Sequence, residues 1–161
     1  MKEKLKSLYL LDIKKCKRYE YFFKVLEQNP QINNYLYSDV SKYYEDEKVE
    51  KIEVGKTYLV SSDGKTPIGL LRLHDLSSLG ILTLHYGIHP DFRRKGYGTL
   101  LLQESSSYVF KNMKEVRALE LVINRENIGS IKCAKSAGFQ EEETRSSVKV
   151  FQKTKRMFDK S

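Results

Sequence analysis

The stretch HPDFRRKGYGTLLLQE, residues 89–104, joins an alternating apolar run to an apolar run at helical spacing. Three cations and two glycines fill the joint. Unpaired N–H groups at a helix start point outward and hydrogen-bond anions. Gly96 and Gly98 let the backbone turn tightly and let an oxygen approach with no Cβ in the way. Arg93, Arg94 and Lys95 place positive charge at the same spot. The chemistry implied is capture of a phosphate or pyrophosphate by backbone and side chains together. The plainer alternative is a solvated charge run before an ordinary helix-entry turn, and composition alone does not displace it. A dinucleotide site fits poorly, because GYG lacks the longer glycine spacing and the following acidic strand end. The GKT at residues 64–66 lacks the preceding glycine-rich loop of a nucleotide-triphosphatase.

Upstream, LGILTLHYGIH puts Leu82, Leu84, Tyr86 and Ile88 on one strand face, with Thr83, His85 and Gly87 on the other. KTYLVSS and TPIGLLRLHD flank SDGK, where Asp63–Gly64 is a hairpin signal. These three runs predict an antiparallel meander. Before them, LKSLYLLDI (5–13) reads as a strand entering a turn, and residues 13–28 as a helix with Ile13, Cys16, Glu20 and Phe23 near one face. Pro30 opens a second helical stretch, whose Tyr35, Tyr37, Tyr43 and Tyr44 suit core or cleft. Downstream, a helix through TLLLQESSSYVFKN is followed by the strand VRALELVIN. NIGSIKCAKSAGF is then a short helix stopped by Gly138, and SSVKVFQKTKR a last strand with a basic tail. There is neither an internal repeat nor a low-complexity linker. One mixed α/β domain over residues 1–161 accounts for the pattern.

The 161 residues suit one domain with a real core and a cleft. Hydrophobic residues make up 40% and charged residues 31%, the balance of a soluble globular protein. The net charge of +8 favours anionic partners without choosing among nucleic acid, acidic peptide and phosphorylated cofactor. Cys16 and Cys133 belong to no short metal-ligand spacing, and read as free, buried thiols of a reducing compartment. No metal site is expected. No run approaches membrane-spanning length and no cleavage site follows the basic N-terminus, so a cytoplasmic protein is expected.

The segment order resembles the GCN5-related N-acetyltransferase (GNAT) family. RRKGYG matches its Arg/Gln-x-x-Gly-x-Gly/Ala cofactor loop, with Pro90 placed as expected before it. NRENIGSIKCAKSAGF (124–139) is similar to its second cofactor-side motif. The resemblance covers residues 5–153, and its specific part is 84–139. It implies a mixed, mostly antiparallel central sheet, helices on both faces and a splayed parallel strand pair. Acetyl-coenzyme A, the cosubstrate, would lie between the strands containing His85–Ile88 and Leu119–Ile123. Gly87 and Ile88 would approach the pantetheine arm. In the cofactor-binding loop of Arg93, Arg94, Lys95, Gly96, Tyr97, Gly98 and Thr99, the amides of Lys95, Gly96, Gly98 and Thr99 would receive the pyrophosphate, and Asn127 and Ser130 would lie near the pantetheine or the start of the second motif's helix. Asn127 also suits a helix cap, and Ser130 a bond to its own backbone.

The activity implied is direct acetyl transfer to a primary amine, either a protein N-terminus or a small molecule, with a homodimer left open. The Ile88 N–H would stabilise the oxyanion. Where many relatives carry a general-acid tyrosine, this chain has Ala134, a departure shared with the ribosomal-protein N-terminal acetyltransferase branch. His85 is the candidate base, with Tyr86 competing and His89 and His74 given no comparable role. The acidic Asp39 and Glu45–Glu47 could attract an amine or simply form a solvated helix end. A noncatalytic coenzyme-A-binding protein is one alternative. A nucleic-acid-binding module is another, and would need a basic surface joining Arg93 to Lys149, Lys153, Lys155 and Arg156.

Overall fold

The computed structural model describes residues 2–11, 52–64 and 66–160. The two helices expected over 13–47, with Cys16, their tyrosines and the acidic residues at 39 and 45–47, lie outside the described residues.

The strands are β1 (Lys2–Lys4), β2 (Tyr9–Leu11), β3 (Thr57–Ser61), β4 (Pro67–Leu76), β5 (Ile81–Ile88), β6 (Ala118–Asn124), β7 (Gln140–Thr144) and β8 (Val148–Thr154). They form one sheet in the order β1-β2-β3-β4-β5-β6-β8-β7. Every pairing is antiparallel except β5 with β6. The fold class is the expected one: mixed α/β, a central, mostly antiparallel sheet with helices on both faces. The meander runs through β2, β3, β4 and β5, with Asp63 and Gly64 in the β3–β4 turn.

Helix α1 (Tyr97–Asn112) follows β5, and α2 (Ile128–Ser136) follows β6. Leu101, Leu102, Ser105, Val109 and Phe110 of α1 recur at three- and four-residue steps and are buried. The buried Ser106 hydroxyl is satisfied within the helix, donating to the Leu102 carbonyl at 2.6 Å. Helix α2 ends as its sequence predicts. The Gly138 N–H donates to Lys135 O at 3.1 Å and the Phe139 N–H to Ala134 O at 3.0 Å, the paired bonds of a Schellman stop.

One apolar core joins the two halves, from Leu8, Leu10 and Tyr58 through Leu82 and Leu84 to Ile123, Ile131 and Phe151. Glu104 of α1 ties in the β1–β2 turn. Its carboxylate accepts the N–H groups of Lys6 (2.9 Å), Ser7 (2.6 Å) and Leu8 (3.0 Å), and the Ser7 hydroxyl.

Three elements depart from the sequence reading. β2 begins only at Tyr9, after the hairpin partner β1 and a turn closed by the Leu5 N–H on Leu8 O. The fully exposed Gln140–Thr144 is a strand. The basic tail coils into a short helix α3 (Lys155–Lys160), where Phe158 packs on Phe110 with ring centroids 5.3 Å apart.

Candidate active site

The parallel pairing of β5 with β6 matches Ile81 to Ala118, Leu82 to Leu119 and Thr83 to Glu120, and then stops. Beyond it, β5 stays paired to β4 as far as Gly69↔Ile88, while β6 stays paired to β8 as far as Asn124↔Val148. Each strand follows its outer neighbour, so the two separate. A cleft of about 570 Å³ opens in the fork, ample for a small-molecule ligand.

Antiparallel alternation decides which backbone groups face this fork. The His89 N–H donates to Ile68 O at 2.8 Å, toward β4. The neighbouring Ile88 N–H and C=O therefore turn the other way, as do those of Tyr86, whereas those of Gly87 face β4. Arg93 Nε occupies the Ile88 carbonyl at 3.1 Å. The Ile88 N–H is aimed into the cleft.

The mouth of α1 forms one end of the cleft. Arg94 (φ 62°) and Gly96 (φ 81°) are both left-handed, a strain that only Gly96 bears without a Cβ penalty. A Cβ on Gly96 would meet nothing within 4 Å, so conformation rather than space calls for glycine there. Gly96 is the N-cap, and no side chain caps the helix. The first helical bond is the Leu100 N–H to Gly96 O at 3.0 Å, which leaves the N–H groups of Tyr97, Gly98 and Thr99 ahead of it. Arg93, Arg94, Gly96, Tyr97 and Gly98 line the cleft. Lys95 and Thr99 do not. Lys95 holds its Nζ 5.7 Å from the Phe92 ring centroid, and Thr99 sits half-buried in the first turn. An uncapped helix start with exposed cations suits pyrophosphate, and a fork with unpaired strand groups suits an amide-bearing arm.

On the α2 side, Asn127 is a helix cap: its Oδ1 accepts the Ser130 N–H at 3.1 Å. The Ser130 hydroxyl stands 2.6 Å from that of Tyr86. Burial pushes the Tyr86 phenol above its ordinary pKa, against the lowering effect of the Ser130 bond. Tyr86, Ser130 and the half-buried Cys133 all line the cleft. Gly98 is needed for close approach here, because a Cβ would lie 2.8 Å from Cys133 Sγ. Ala134 is fully buried in the core, one turn beyond Ser130. No local pattern links Tyr86 and Ser130 in the sequence, and their contact depends on how α2 crosses β5.

Gly87 and His85 also line the cleft. His85 is half-buried, on the opposite strand face from Tyr86, and its ring stacks on His74 with centroids 4.3 Å apart. His74 itself does not line the cleft; it meets the site through His85. His89 is buried, and its Nδ1 accepts the Asp91 N–H at 3.1 Å as the cap of the short 3-10 turn Pro90–Phe92. Burial, reinforced by Arg93, lowers its pKa against the pull of Asp91.

Residues 14–140 match the family model described as the acetyltransferase (GNAT) domain. No curated protein matches by sequence. Among solved structures, the chain is similar to a GNAT-family acetyltransferase from Bacillus anthracis, at 16% identity and TM-score 0.74, covering 97% of this chain and 99% of that one. It is also similar to a putative ribosomal-protein-serine acetyltransferase from Vibrio cholerae (15%, TM-score 0.70, 96% and 97% covered). A third is the spermidine N-acetyltransferase from Vibrio cholerae in complex with CoA and spermine (16%, TM-score 0.69, 94% and 98% covered). At such identities the likeness is one of fold, and it favours neither the ribosomal nor the polyamine branch. The match over residues 14–140, with the strand fork and the uncapped helix start, establishes that the chain belongs to the GNAT acetyltransferase family.

Proposed function

We infer that the protein is an N-acetyltransferase that passes acetyl from acetyl-coenzyme A directly to a primary amine. The observation that carries this reading is the fork between β5 and β6, with the Ile88 N–H turned into it and the uncapped start of α1 at its end. The thioester supplies an activated acyl group on a thiolate leaving group. Arg93, Arg94 and the first N–H groups of α1 hold the pyrophosphate, and the Ile88 N–H polarises the acyl oxygen. His85, on the cleft wall, takes the proton that the amine nitrogen loses as its bond to the acyl carbon forms.

The carbon–sulfur bond then breaks, and the sulfur needs a hydrogen-bond donor. Ser130 meets that need where Ala134 cannot. The Tyr86 and Ser130 hydroxyls stand 2.6 Å apart and either can donate to the other; in the arrangement where Tyr86 donates to Ser130 Oγ, the serine proton is free to point toward the sulfur. This pair favours catalysis over mere coenzyme-A binding.

The acceptor is an amine of a protein N-terminus, as in the ribosomal-protein branch, or of a small molecule such as a polyamine. The test is incubation with acetyl-coenzyme A and a panel holding N-terminal peptides and a polyamine, with thiol and acetylated product both quantified. Equal yields of the two with one acceptor class support the reading. Thiol release without any acetylated amine sinks it.

A further inference from the structure

β4 carries one residue more than β5 beside the site: Leu73 faces Leu84, but Asp75 faces Thr83. The extra residue is His74. Such a bulge bends its strand and re-aims a side chain. Here it lays the His74 imidazole on that of His85, with centroids 4.3 Å apart and planes 22° from parallel.

Arg72 holds the ring of His74 at its Nδ1 edge. It is 7% exposed, and its guanidinium donates to Gly55 O (3.1 Å), Thr57 Oγ1 (3.2 Å) and, through Nε, His74 Nδ1 (3.0 Å). A guanidinium N–H can only donate, so His74 Nδ1 carries no proton while this bond holds. The tautomer and ring plane of His74 are both set.

We propose that Arg72 and His74 are positioning residues for His85, forming a flat platform that holds its imidazole in one orientation on the cleft wall. This rests on the reading of His85 as proton acceptor. Stacking on a fixed ring narrows the χ1 and χ2 range open to an imidazole, and a proton acceptor must be held within about 0.5 Å of its productive place. An ordinary packing contact would affect stability alone; a platform also affects turnover.

The test uses His74→Ala, which removes the platform, and His74→Phe, which keeps a flat ring. The chain has three histidines, so imidazole NMR of the labelled protein follows each separately. The expected spectrum shows His74 Nδ1 as an unprotonated acceptor. It also shows a His85 resonance that shifts in His74→Ala, stays near wild type in His74→Phe, and leaves His89 unmoved in both. In turnover, His74→Ala should lose roughly tenfold in kcat, less than the ~100-fold of a 1 Å misplacement, with KM for acetyl-coenzyme A unchanged. His74→Phe should recover most of that loss. A protonated His74 Nδ1, or a folded His74→Ala with wild-type kcat, overturns the proposal. If the wild-type protein acetylates no amine, the acetyltransferase reading fails on its own, and the NMR arm still decides the platform.

Discussion

Replacing Gly98 with Ala tests how α1 and α2 close the base of the cleft. The added Cβ would lie 2.8 Å from Cys133 Sγ and 3.7 Å from Tyr86 Cε2. The second distance is ordinary contact; the first is short by about 0.7 Å or more against normal van der Waals separation. Relief requires Cys133 to rotate or the helices to part, a cost of about 1–3 kcal/mol for an overpacked site. Alanine returns at most about 1 kcal/mol through its helix propensity. The net expectation is a loss of roughly 0–3 kcal/mol. Trimming the obstacle with Cys133→Ala should make the same Gly98→Ala step neutral or stabilising. Urea unfolding of wild type, both single variants and the double variant then gives a coupling of about 1–3 kcal/mol, favourable in the double variant. Calorimetry with coenzyme A should show weaker binding in Gly98→Ala alone, because the displaced helix start carries the anion-binding N–H groups. A cycle additive within about 0.5 kcal/mol would refute the close-approach argument.

Gly96→Glu puts a carboxylate and a left-handed non-glycine at the α1 mouth, and should weaken coenzyme-A affinity far more than Lys160→Glu on the tail; equal small losses by calorimetry would make Gly96 a structural turn only. Tyr86→Phe leaves Ser130 without its Tyr86 hydroxyl partner, and should cost about 2–10-fold in kcat, the worth of one net hydrogen bond, at unchanged KM for acetyl-coenzyme A; a loss confined to KM would contradict the hydrogen-bonding role at the sulfur. Although burial pushes the Glu104 carboxyl up, the hydrogen bonds from Ser7, Leu8 and Lys6 outweigh it and hold its pKa below the ordinary range. Its contribution is therefore complete above the unfolded pKa of about 4.3 and lost as pH falls through the folded value. Glu104→Gln should destabilise by about 1–2 kcal/mol at pH 7, and the difference should shrink in acid. A gap that persists in pH-dependent thermal unfolding would show that the charge contributes nothing.

What the sequence displayed is what periodicity and turn chemistry encode. The β3–β4 hairpin was legible because Asp63–Gly64 sits between apolar runs, and α2 because Asn127 and Gly138 bracket it. The fork and its glycines were legible through the family resemblance. β7 was not, since QEEET is exposed at every position and carries no apolar alternation; β8 alone makes it a strand. α3 was hidden by its cations, because its packing shows only when Phe158 meets Phe110. The His74 bulge beside the site and the Tyr86–Ser130 contact within it are tertiary. Arg93 was read as a phosphate ligand by charge, but the fold also gives its Nε a structural task on Ile88.

If the protein uses acetyl-coenzyme A as proposed, the fork between β5 and β6 takes a pantetheine arm and the mouth of α1 its pyrophosphate. Isothermal titration of the wild-type protein with coenzyme A, ATP and NAD tests it most directly. The account predicts one equivalent of coenzyme A bound, with ATP and NAD clearly weaker, because only coenzyme A can use both the strand groups and the helix mouth. ATP or NAD binding as tightly as coenzyme A, or no coenzyme-A heat at all, would contradict it.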